Sequence, residues 1–430
     1  MQMPKKSIYT IVFEHGGKFF LYNSRSNFFS EITERLFYAI KSQSFESLTP
    51  EETEELKSRQ LIVKDDEIHD YYYMRLMDFH ARNNNRKTLH LTIAPTTACN
   101  FDCPYCFESK LNPKTMSDDV IEKIPDFIKG YKDAKKLVLN WYGGEPLIAF
   151  GIMRKIYESL SGKDMPTIES QSIITNGYCL TQEVIDFFRE TGCHDIQITI
   201  DGIGEKHDLT RRLKNSSEPT FNRIISNVDL VLSQLKETTL NIRVNVNKEN
   251  YRDFVEVFNF LRQRHPDSKN LNIYPGIIRQ ETADHLSLCE SSFRTSEMLE
   301  LHRLLREEGI DTRQFPRKTF RGCMMHDNMS YIIGPEGELY KCWNDIADPA
   351  AVIGNIASPE LVNTSRLIKY AVRSIPFNDE CRDCHAFPIC DGGCSYHRFR
   401  NKFEGCRFDV CSPYRDMENL KSALLTEVYK

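Results

Sequence analysis

The stretch CNFDCPYCFE, residues 99–108, decides the fold because it places three cysteines at spacings of four and three residues, directly after a strand candidate. Three thiolates on one short loop can bind three irons of a cubane cluster and leave the fourth iron free. A structural zinc site usually takes four protein ligands, and no histidine neighbours these cysteines in the sequence. The spacing therefore favours an iron–sulfur cluster over zinc.

Strands and helices alternate along the chain from Leu89 onward. The strand candidates are LHLTIAP, KLVLNWY, SQSIITN, DIQITIDG, LNIRVNVN and NLNIYPGII, and helical stretches such as SDDVIEKIPDFIKGY and TQEVIDFFRETG lie between them. Six strands that are each followed by a helix predict an α/β fold with a parallel sheet covered by helices. Such a sheet can close into a partial barrel, whose chemistry lies at the C-terminal ends of its strands. The cysteine triad follows the first of these strands.

Composition predicts a cytoplasmic protein without a nucleic-acid or membrane partner. The net charge of −5 argues against binding to nucleic acid through phosphate contacts. No apolar run approaches the ~18 residues of a membrane-spanning helix, and the N-terminus lacks the pattern of a signal peptide. Fourteen cysteines in such a protein predict metal binding or catalysis, because the cytosol keeps disulfides reduced.

The triad Cys99-x3-Cys103-x2-Cys106, with Tyr105 before its last cysteine, resembles the signature of radical S-adenosylmethionine (radical SAM) enzymes. In that family the free iron chelates the amino and carboxylate groups of SAM. An electron from the cluster then cleaves the S–C5′ bond and gives a 5′-deoxyadenosyl radical. The resemblance implies a partial (β/α)6 barrel over residues 88–310 that binds SAM and one [4Fe–4S] cluster.

Residues at the ends of the following strands continue the resemblance. It implies a SAM site made of Tyr105, Gly143, Gly144, Glu145, Asn176, Thr199 and Asp201. The two glycines would let main chain approach the methionyl amino group of SAM without a Cβ in the way. Thr199 stands where a serine is commoner in the family. His207, Asp208 and Arg211 also match, although a solvated charged loop accounts for them equally well.

Eight further cysteines lie between Cys323 and Cys411. Their pattern, C-x13-G-x4-C followed by C-x2-C-x5-C-x3-C, resembles the SPASM domain of peptide- and protein-modifying radical SAM enzymes, here over residues 311–430. The resemblance implies two auxiliary [4Fe–4S] clusters, the first held by Cys323, Cys342 and Cys394, and the second by Cys381, Cys384, Cys390 and Cys411. The alternative is a pair of zinc ribbons, since C-x2-C pairs often bind zinc.

Two ligand assignments stay open in this C-terminal region. Cys411 is preferred to Cys406 because the segment CSPYR after it resembles the closing segment of the family. The first auxiliary cluster has only three ligands. Either Cys289 supplies a fourth, or one iron stays open for a substrate thiolate.

Residues 1–80 predict a small module that contains no cysteine. IYTIVFEHGGKFFLYN predicts a hairpin around Gly16-Gly17, and apolar residues at helical spacing predict a helix capped by Ser30. A second helix capped at Thr49-Pro50 would lead into the strand Leu61–Val63, before the polar linker 82–87. The strand–strand–helix–helix–strand order resembles the winged-helix element that binds leader peptides by strand addition. A DNA-binding winged helix, disfavoured by its acidic residues, or a structural cap are the alternatives.

Together these resemblances imply an oxidoreductase that abstracts hydrogen from a ribosomal precursor peptide and installs a thioether, carbon–carbon or ether cross-link, or epimerises a residue. Its partners would be the precursor with its leader and an electron donor such as flavodoxin or ferredoxin. A second enzymatic interpretation is an anaerobic sulfatase-maturing enzyme that forms formylglycine. A non-catalytic metal-binding scaffold is disfavoured by the intact cysteine triad and GGE motif.

Overall fold

The computed structural model describes residues 4–106, 108, 112–278, 298–310, 316–320, 322–370 and 377–426. Contacts between residues divide the chain into two units. The first comprises Met1–Arg82, Arg294–Cys323 and Val372–Lys430, and the second comprises Asn83–Phe293 and Met324–Ala371. This grouping differs from the three predicted segments 1–80, 88–310 and 311–430, because one sheet and two apolar cores each contain residues from two of these segments.

The described residues form fourteen strands and fourteen α-helices. The strands are β1 Lys5–Lys6, β2 Thr10–His15, β3 Lys18–Asn23, β4 Phe28–Ile32, β5 Ile62–Val63, β6 Thr88–Ile93, β7 Lys136–Trp141, β8 Thr167–Thr175, β9 Asp195–Thr199, β10 Thr239–Val246, β11 Leu271–Ile277, β12 Ser330–Ile333, β13 Glu338–Tyr340 and β14 Gly354–Asn355. The helices are Glu34–Ser42, Pro50–Ser58, Asp70–Asn83, Asp118–Lys129, Phe150–Leu160, Gln182–Thr191, Glu205–Thr210, Phe221–Gln234, Asp253–Arg264, Met298–Glu307, Thr364–Ile368, Phe387–Cys390, Ser395–Phe403 and Met417–Leu425. None of the helices in the described ranges is long and apolar enough to cross a bilayer.

The second unit is built on one nine-stranded sheet with the order β11-β10-β9-β8-β7-β6-β12-β13-β14. Strands β6 to β11 all pair in parallel, which confirms the predicted parallel α/β sheet. Strand β12 pairs in parallel with β6, and β13 and β14 follow it antiparallel. Residues 330–355 therefore extend the barrel sheet and do not form part of a separate C-terminal region.

The two faces of this sheet differ in polarity. Alternate residues such as Leu91, Leu139 and Ile198 are fully buried or nearly so, because they face the helices that follow each strand. The residues between them are often polar and bond to one another across strands: the Ser172 hydroxyl donates to Asn140 (2.8 Å). The parallel strands thus keep a polar face, which a strand buried on both faces would lack.

In the first unit, β2, β3 and β4 form an antiparallel sheet. The hairpin predicted at Gly16-Gly17 is present, and both glycines have the positive φ that this turn requires (58° and 74°). The predicted cap Ser30 is wrong, because Ser30 lies in β4 and pairs with Leu21 of β3. The helix Glu34–Ser42 instead begins after Thr33, whose hydroxyl accepts a hydrogen bond from the amide of Leu36.

The second predicted helix and the last predicted strand of this segment are both present. Pro50–Ser58 starts with a complete capping box between Thr49 and Glu52. Strand β5 follows it and pairs antiparallel with β1.

The N-terminal segment shares its apolar cores with the C-terminal segment of the first unit. One core contains Ile11, Phe13, Phe20, Tyr22, Ala386, Ile389, Tyr414, Leu420 and Leu424. A second contains Tyr9, Tyr71, Tyr72, Phe377 and Phe387, with Cys381 and Cys384 packed against it. The hydroxyl of Tyr22 also donates to the carbonyl of Pro316 (3.1 Å). Residues 1–80 therefore share their apolar cores with the C-terminal segment, whereas a linked module would have a core of its own.

A buried ion pair joins the same two segments. The guanidinium of Arg75 donates to both carboxylate oxygens of Asp391 (2.9 Å each), with side chains 4% and 2% exposed. Asp391 lies in the turn between Cys390 and Cys394. The helix Asp70–Asn83 is therefore tied to the loop that carries two predicted cluster ligands.

We expect Arg75→Met to lower the free energy of opening of this region by about 3–5 kcal/mol, because it leaves a carboxylate buried without its cation. Hydrogen–deuterium exchange of the helix Asp70–Asn83 measures this. The matched control is Arg82→Met on the same helix, since Arg82 is 57% exposed and pairs with Asp78 at the surface, where such a pair contributes about 0–1 kcal/mol. Equal effects of the two substitutions would contradict the prediction.

Candidate functional site

The cysteine triad lies on the loop that follows β6. The hydroxyl of Thr96 and the amide of Thr97 both donate to the carbonyl of Lys114 (2.8 and 2.9 Å), which closes the loop at its base. Cys103 is buried, and Cys99 and Cys106 are half-buried. The triad therefore lies at the C-terminal edge of the parallel sheet, as the sequence predicts.

The three thiols occupy one recess of low polarity. Burial, with a smaller effect of neighbouring cysteines, raises the pKa of Cys99 to about 12 and that of Cys106 to about 11. Burial also raises the pKa of Cys103, against the opposing charge of Arg211. Thiols that resist ionisation alone become thiolates when a positive metal group binds them. The recess thus fits a cluster bound by three cysteines.

The Gly143-Gly144 pair packs directly on the backbone of this loop. The amides of Gly144 and Glu145 donate to the carbonyls of Thr96 (3.2 Å) and Ala98 (2.9 Å). A Cβ on Gly144 would overlap the carbonyl of Ala98, and one on Gly143 would overlap that of Thr96. The loop itself therefore requires both glycines, a reason separate from the predicted approach to SAM.

Glu145 is fully buried and joins the end of β7 to the end of β8. Its carboxylate accepts from the amide of Asn176 (2.6 Å), the hydroxyl of Thr175 (2.7 Å) and the amide of Leu147 (3.1 Å). Burial raises the pKa of Glu145, and these donors oppose the rise. With both oxygens already used as acceptors, Glu145 acts in this structure as a positioning group for the strand ends.

Tyr105 connects the cysteine loop to the end of β9. Its hydroxyl donates to the carboxylate of Asp201 and accepts from the guanidinium of Arg211 (2.7 Å). The amide of Asp201 donates to His207 Nδ1 (3.3 Å), and burial lowers the pKa of His207 to about 3. Asp201, His207 and Arg211 are all buried. The interpretation of His207 and Arg211 as part of a solvated loop is therefore wrong.

The structure brings together most of the predicted SAM residues, and Thr199 is buried at the end of β9. It also adds residues that the sequence analysis missed. Asn100 accepts from the side-chain amide of Asn176 (2.7 Å), and the amide of Asn245 donates to Asp201 (3.3 Å). The sequence offers no signal for the contact of Asn245, because a backbone amide makes it.

The second group of cysteines lines a cavity in the first unit. Its lining includes all four predicted ligands of the second auxiliary cluster, Cys381, Cys384, Cys390 and Cys411, but not Cys406. Arg415 donates to the sulfur of Cys411 (3.1 Å). Four thiols around one cavity are the ligand set of a [4Fe–4S] cluster, and this arrangement favours Cys411 over Cys406.

The predicted ligands of the first auxiliary cluster fall in different parts of the chain. Cys323 and Cys394 belong to the first unit and Cys342 to the second, so this ligand set stays a prediction. Cys289 lies outside the described residues. In the described part of the chain, no group of three His, Cys, Asp or Glu side chains converges on a point that would hold one metal ion. A cubane does not need such convergence, because each cysteine binds a different iron.

The sequence profile of the radical SAM superfamily matches residues 93–261. The chain carries a radical SAM domain. The residues that the profile matches include the cysteine loop, the Gly-Gly-Glu turn and the polar ends of β8, β9 and β10. S-adenosylmethionine and an iron–sulfur cluster, the cofactors of that superfamily, are therefore those of this domain.

Relatives and solved structures extend the similarity over most of the chain. The serine-type anaerobic sulfatase-maturating enzyme of Bacteroides thetaiotaomicron is 25% identical over 398 residues, 79% of this chain and 93% of that protein. Native anSMEcpe with bound AdoMet and Cp18Cys peptide matches 80% of this chain and 98% of its own (TM-score 0.60, 19% identity). Streptococcus suis SuiB bound to precursor peptide SuiA matches 96% and 99% (TM-score 0.51, 14% identity). The two structural likenesses show the shared fold.

Gly144→Ala tests whether the Gly-Gly turn positions the cysteine loop. We expect it to lower SAM cleavage at least tenfold, because the added Cβ displaces the carbonyl of Ala98 between the turn and Cys99. The release of 5′-deoxyadenosine after reduction by dithionite measures this. Gly151→Ala is the matched control, since a Cβ there meets nothing within 4 Å. Wild-type cleavage by Gly144→Ala would show that the contact is dispensable.

Iron content tests the predicted clusters. Three [4Fe–4S] clusters correspond to about twelve irons per chain. The triple variant Cys99→Ala, Cys103→Ala, Cys106→Ala should retain about eight of them, since it removes the ligands of one cluster only. Iron and acid-labile sulfide assays after anaerobic reconstitution measure both values. About two zinc ions and no sulfide in the triple variant would instead support zinc ribbons.

Proposed function

We propose that this chain is a radical SAM/SPASM maturase that modifies a ribosomal precursor peptide by installing a thioether, carbon–carbon or ether cross-link. The observation that carries the peptide part of the proposal is a groove in the N-terminal segment, beside an edge strand and lined by both apolar and polar side chains. The proposal includes two auxiliary clusters, an electron donor such as flavodoxin or ferredoxin, and a cytoplasmic location.

The residues of the barrel have separate tasks in this proposal. The cysteine triad holds the catalytic cluster, and Gly143, Gly144 and Glu145 fix the loop on which the triad lies. Tyr105 and Asp201 form the polar wall of the SAM site on the β9 side. When bound, the cluster and SAM supply a radical that removes a hydrogen atom from the substrate. The polar face of β6 to β11 lines the space that the substrate residue would enter.

The groove lies between β4 and the helices Glu34–Ser42 and Pro50–Ser58. Its apolar lining consists of Leu21, Phe28, Ile32, Leu36, Leu56 and Leu61, and its polar lining of Ser30, Glu31, Thr33, Glu52, Glu55 and Arg59. Among the described strands, β4 pairs only with β3, so its other edge can accept an extended peptide. The groove thus lies beside β4, a strand that the sequence did not predict.

The comparisons support a peptide or protein substrate. The B. thetaiotaomicron relative is named for the maturation of sulfatases, and SuiB is described bound to a precursor peptide. The likeness to SuiB covers 96% of this chain and that to anSMEcpe 80%. The wider coverage by SuiB supports a precursor peptide as the substrate.

Formylglycine formation on a sulfatase is the second candidate, and the 25% identity to a sulfatase-maturating enzyme over 79% of the chain favours it. That reaction would not need the groove. Epimerisation begins with the same hydrogen abstraction, but a hydrogen-atom donor then returns a hydrogen to the radical, so the mass of the peptide stays unchanged. A scaffold without chemistry is disfavoured by the interlocked loop, turn and strand ends around the triad.

The test uses the reconstituted full chain with SAM and dithionite under anaerobic conditions. Two substrates are compared, namely peptides encoded by short reading frames beside this gene and a sulfatase-derived peptide that contains the target Cys or Ser. We expect a mass loss of about 2 Da, two hydrogens, in the precursor peptide for a cross-link. Conversion of only the sulfatase peptide would establish the second candidate. Cys103→Ala should abolish product and 5′-deoxyadenosine together.

Point substitutions test the groove better than deletion of residues 1–80, because deletion would also expose the core around Cys381 and Cys384. Leu36→Arg places a charge in the apolar lining, and we expect it to raise the KM for the full-length precursor at least tenfold. Uncoupled SAM cleavage should keep its rate, since the groove and the triad lie in different units of the chain. The control is Tyr38→Arg, on the same helix, 51% exposed and outside the groove. Equal KM values for both variants would refute leader binding there.

A further inference from the structure

Arg243 lies on the polar face of β10, beside the predicted SAM residues of β9. The residues before and after it in the strand are fully buried against the helices, so Arg243 faces the barrel interior. In the parallel register it lies between Thr199 of β9 and Tyr274 of β11. Its carbonyl accepts a hydrogen bond from the amide of Ile200 (2.9 Å). The backbone of Arg243 is therefore fixed at the point where β9 leads into Asp201.

The side chain of Arg243 lies across Gly276 of β11 and extends toward the C-terminal ends of the strands. A Cβ on Gly276 would lie 2.2 Å from Nε of Arg243 and 2.8 Å from its Cγ. The glycine thus provides the room that the arginine occupies. Nε donates to the side-chain oxygen of Asn245 (2.9 Å), and the amide of Asn245 donates to Asp201 (3.3 Å). The guanidinium is therefore held beside the SAM wall of the site.

Neighbouring polar side chains on this face bond to one another, whereas the end of Arg243 does not. The hydroxyl of Tyr274 donates to Gln197 (2.6 Å), and the amide of Asn241 donates to Asp195 (3.1 Å). In the part of the chain that the structure describes, the two terminal nitrogens of Arg243 donate to no protein atom, and no carboxylate forms an ion pair with them. An arginine keeps its proton in a protein. The barrel interior thus holds a half-buried cation that can bind an anion.

The shape of the free end of Arg243 indicates the kind of anion. A guanidinium is planar, and its parallel N–H groups match the two oxygens of a carboxylate. We propose that Arg243 is a specificity-determining residue that binds a carboxylate group of the substrate peptide inside the barrel. This inference rests on the proposed function, and it narrows the substrate to a peptide with an acidic residue close to the residue that reacts.

SAM is the second possible source of a carboxylate, since in radical SAM enzymes that group binds the iron left free by the cysteine triad. The triad follows β6 and the Gly-Gly turn follows β7, whereas β8 and β9 separate β7 from β10. Neighbouring strands lie about 4.8 Å apart, so β7 and β10 are separated by about 14 Å along the sheet. The topology therefore favours the carboxylate of the peptide over that of SAM.

Three substitutions change the proposed contact in different ways, and a fourth is the control. Arg243→Gln removes the charge, and Arg243→Lys keeps the charge without the planar donors. Gly276→Ala keeps the arginine but displaces its side chain, because the added Cβ overlaps Nε. The control is Arg264→Gln, on the helix that follows β10. Arg264 pairs with Asp229 at the surface (2.6 Å), and its side chain is 44% exposed.

The experiment compares these variants of the reconstituted full chain on the peptide that the parent modifies, either the precursor or the sulfatase-derived peptide. Each Asp or Glu of that peptide is replaced in turn by Asn or Gln, and KM is measured from product mass. We expect Arg243→Gln to raise KM about tenfold or more, as for loss of a hydrogen bond between charged groups. On the peptide that lacks the bound carboxylate, the same substitution should change KM less than about twofold. Arg243→Lys and Gly276→Ala should give intermediate values, and Arg264→Gln that of the parent.

A second measurement, the Kd of SAM by anaerobic calorimetry, distinguishes the two sources of the carboxylate. A tenfold weaker Kd in Arg243→Gln, with no acidic residue of the peptide coupled to Arg243, would assign the site to SAM and overturn the inference. An equal rise of KM for every peptide, acidic or amidated, would show a purely structural role and also overturn it. If Arg243→Gln loses its iron, Gly276→Ala decides by the same comparison of peptides.

Failure of the proposed function has a different signature. A parent that cleaves SAM but modifies neither peptide contradicts the proposed function, and the inference fails with it. A parent that modifies a peptide whose KM is the same in Arg243→Gln and Arg264→Gln overturns the inference alone.

Discussion

The carboxylate of Glu145 is the constraint on which the barrel site depends. It is fully buried, and it accepts hydrogen bonds from residues at the ends of two neighbouring strands. Its own amide is bonded to the cysteine loop through the carbonyl of Ala98. A single side chain thus sets the distance between the Gly-Gly turn and the end of β8, with the cysteine loop bonded to the same turn. Since a buried carboxylate is costly without donors, the three parts hold one another in place.

A different constraint shapes the first unit. There the N-terminal aromatic residues Tyr9, Tyr71 and Tyr72 share a core with the loop that carries Cys381 and Cys384. The buried pair of Arg75 and Asp391 reinforces the same contact. The segment that carries the proposed peptide groove therefore also covers a predicted cluster site. This explains why a segment without cysteines is part of a cysteine-rich unit.

The sequence predicted the parts of the site that local spacing determines. The triad, the Gly-Gly-Glu turn and the six parallel strands follow from short motifs and strand patterns. The strand β4 was missed because Ile32 and Leu36 also fit helical spacing, whereas pairing of Ser30 with Leu21 decides the local structure. The contact between the N- and C-terminal segments was missed for another reason. The residues in this contact are hundreds of positions apart in the sequence, and no local sequence pattern indicates which apolar faces will pack together.

The electrostatic setting of the cysteines follows one rule in both units. Burial raises the pKa of Cys103 and of Cys381, and in each case a buried guanidinium opposes it, from Arg211 and Arg398 respectively. Arginine suits this task better than lysine, because burial lowers the pKa of a lysine until it can lose its charge. Arg211 also donates to Tyr105 and Arg398 to Ser395, so a hydrogen bond to a neighbouring side chain fixes the position of each charge. In both units, the burial that keeps a cysteine protonated is thus opposed by the charge of a buried arginine.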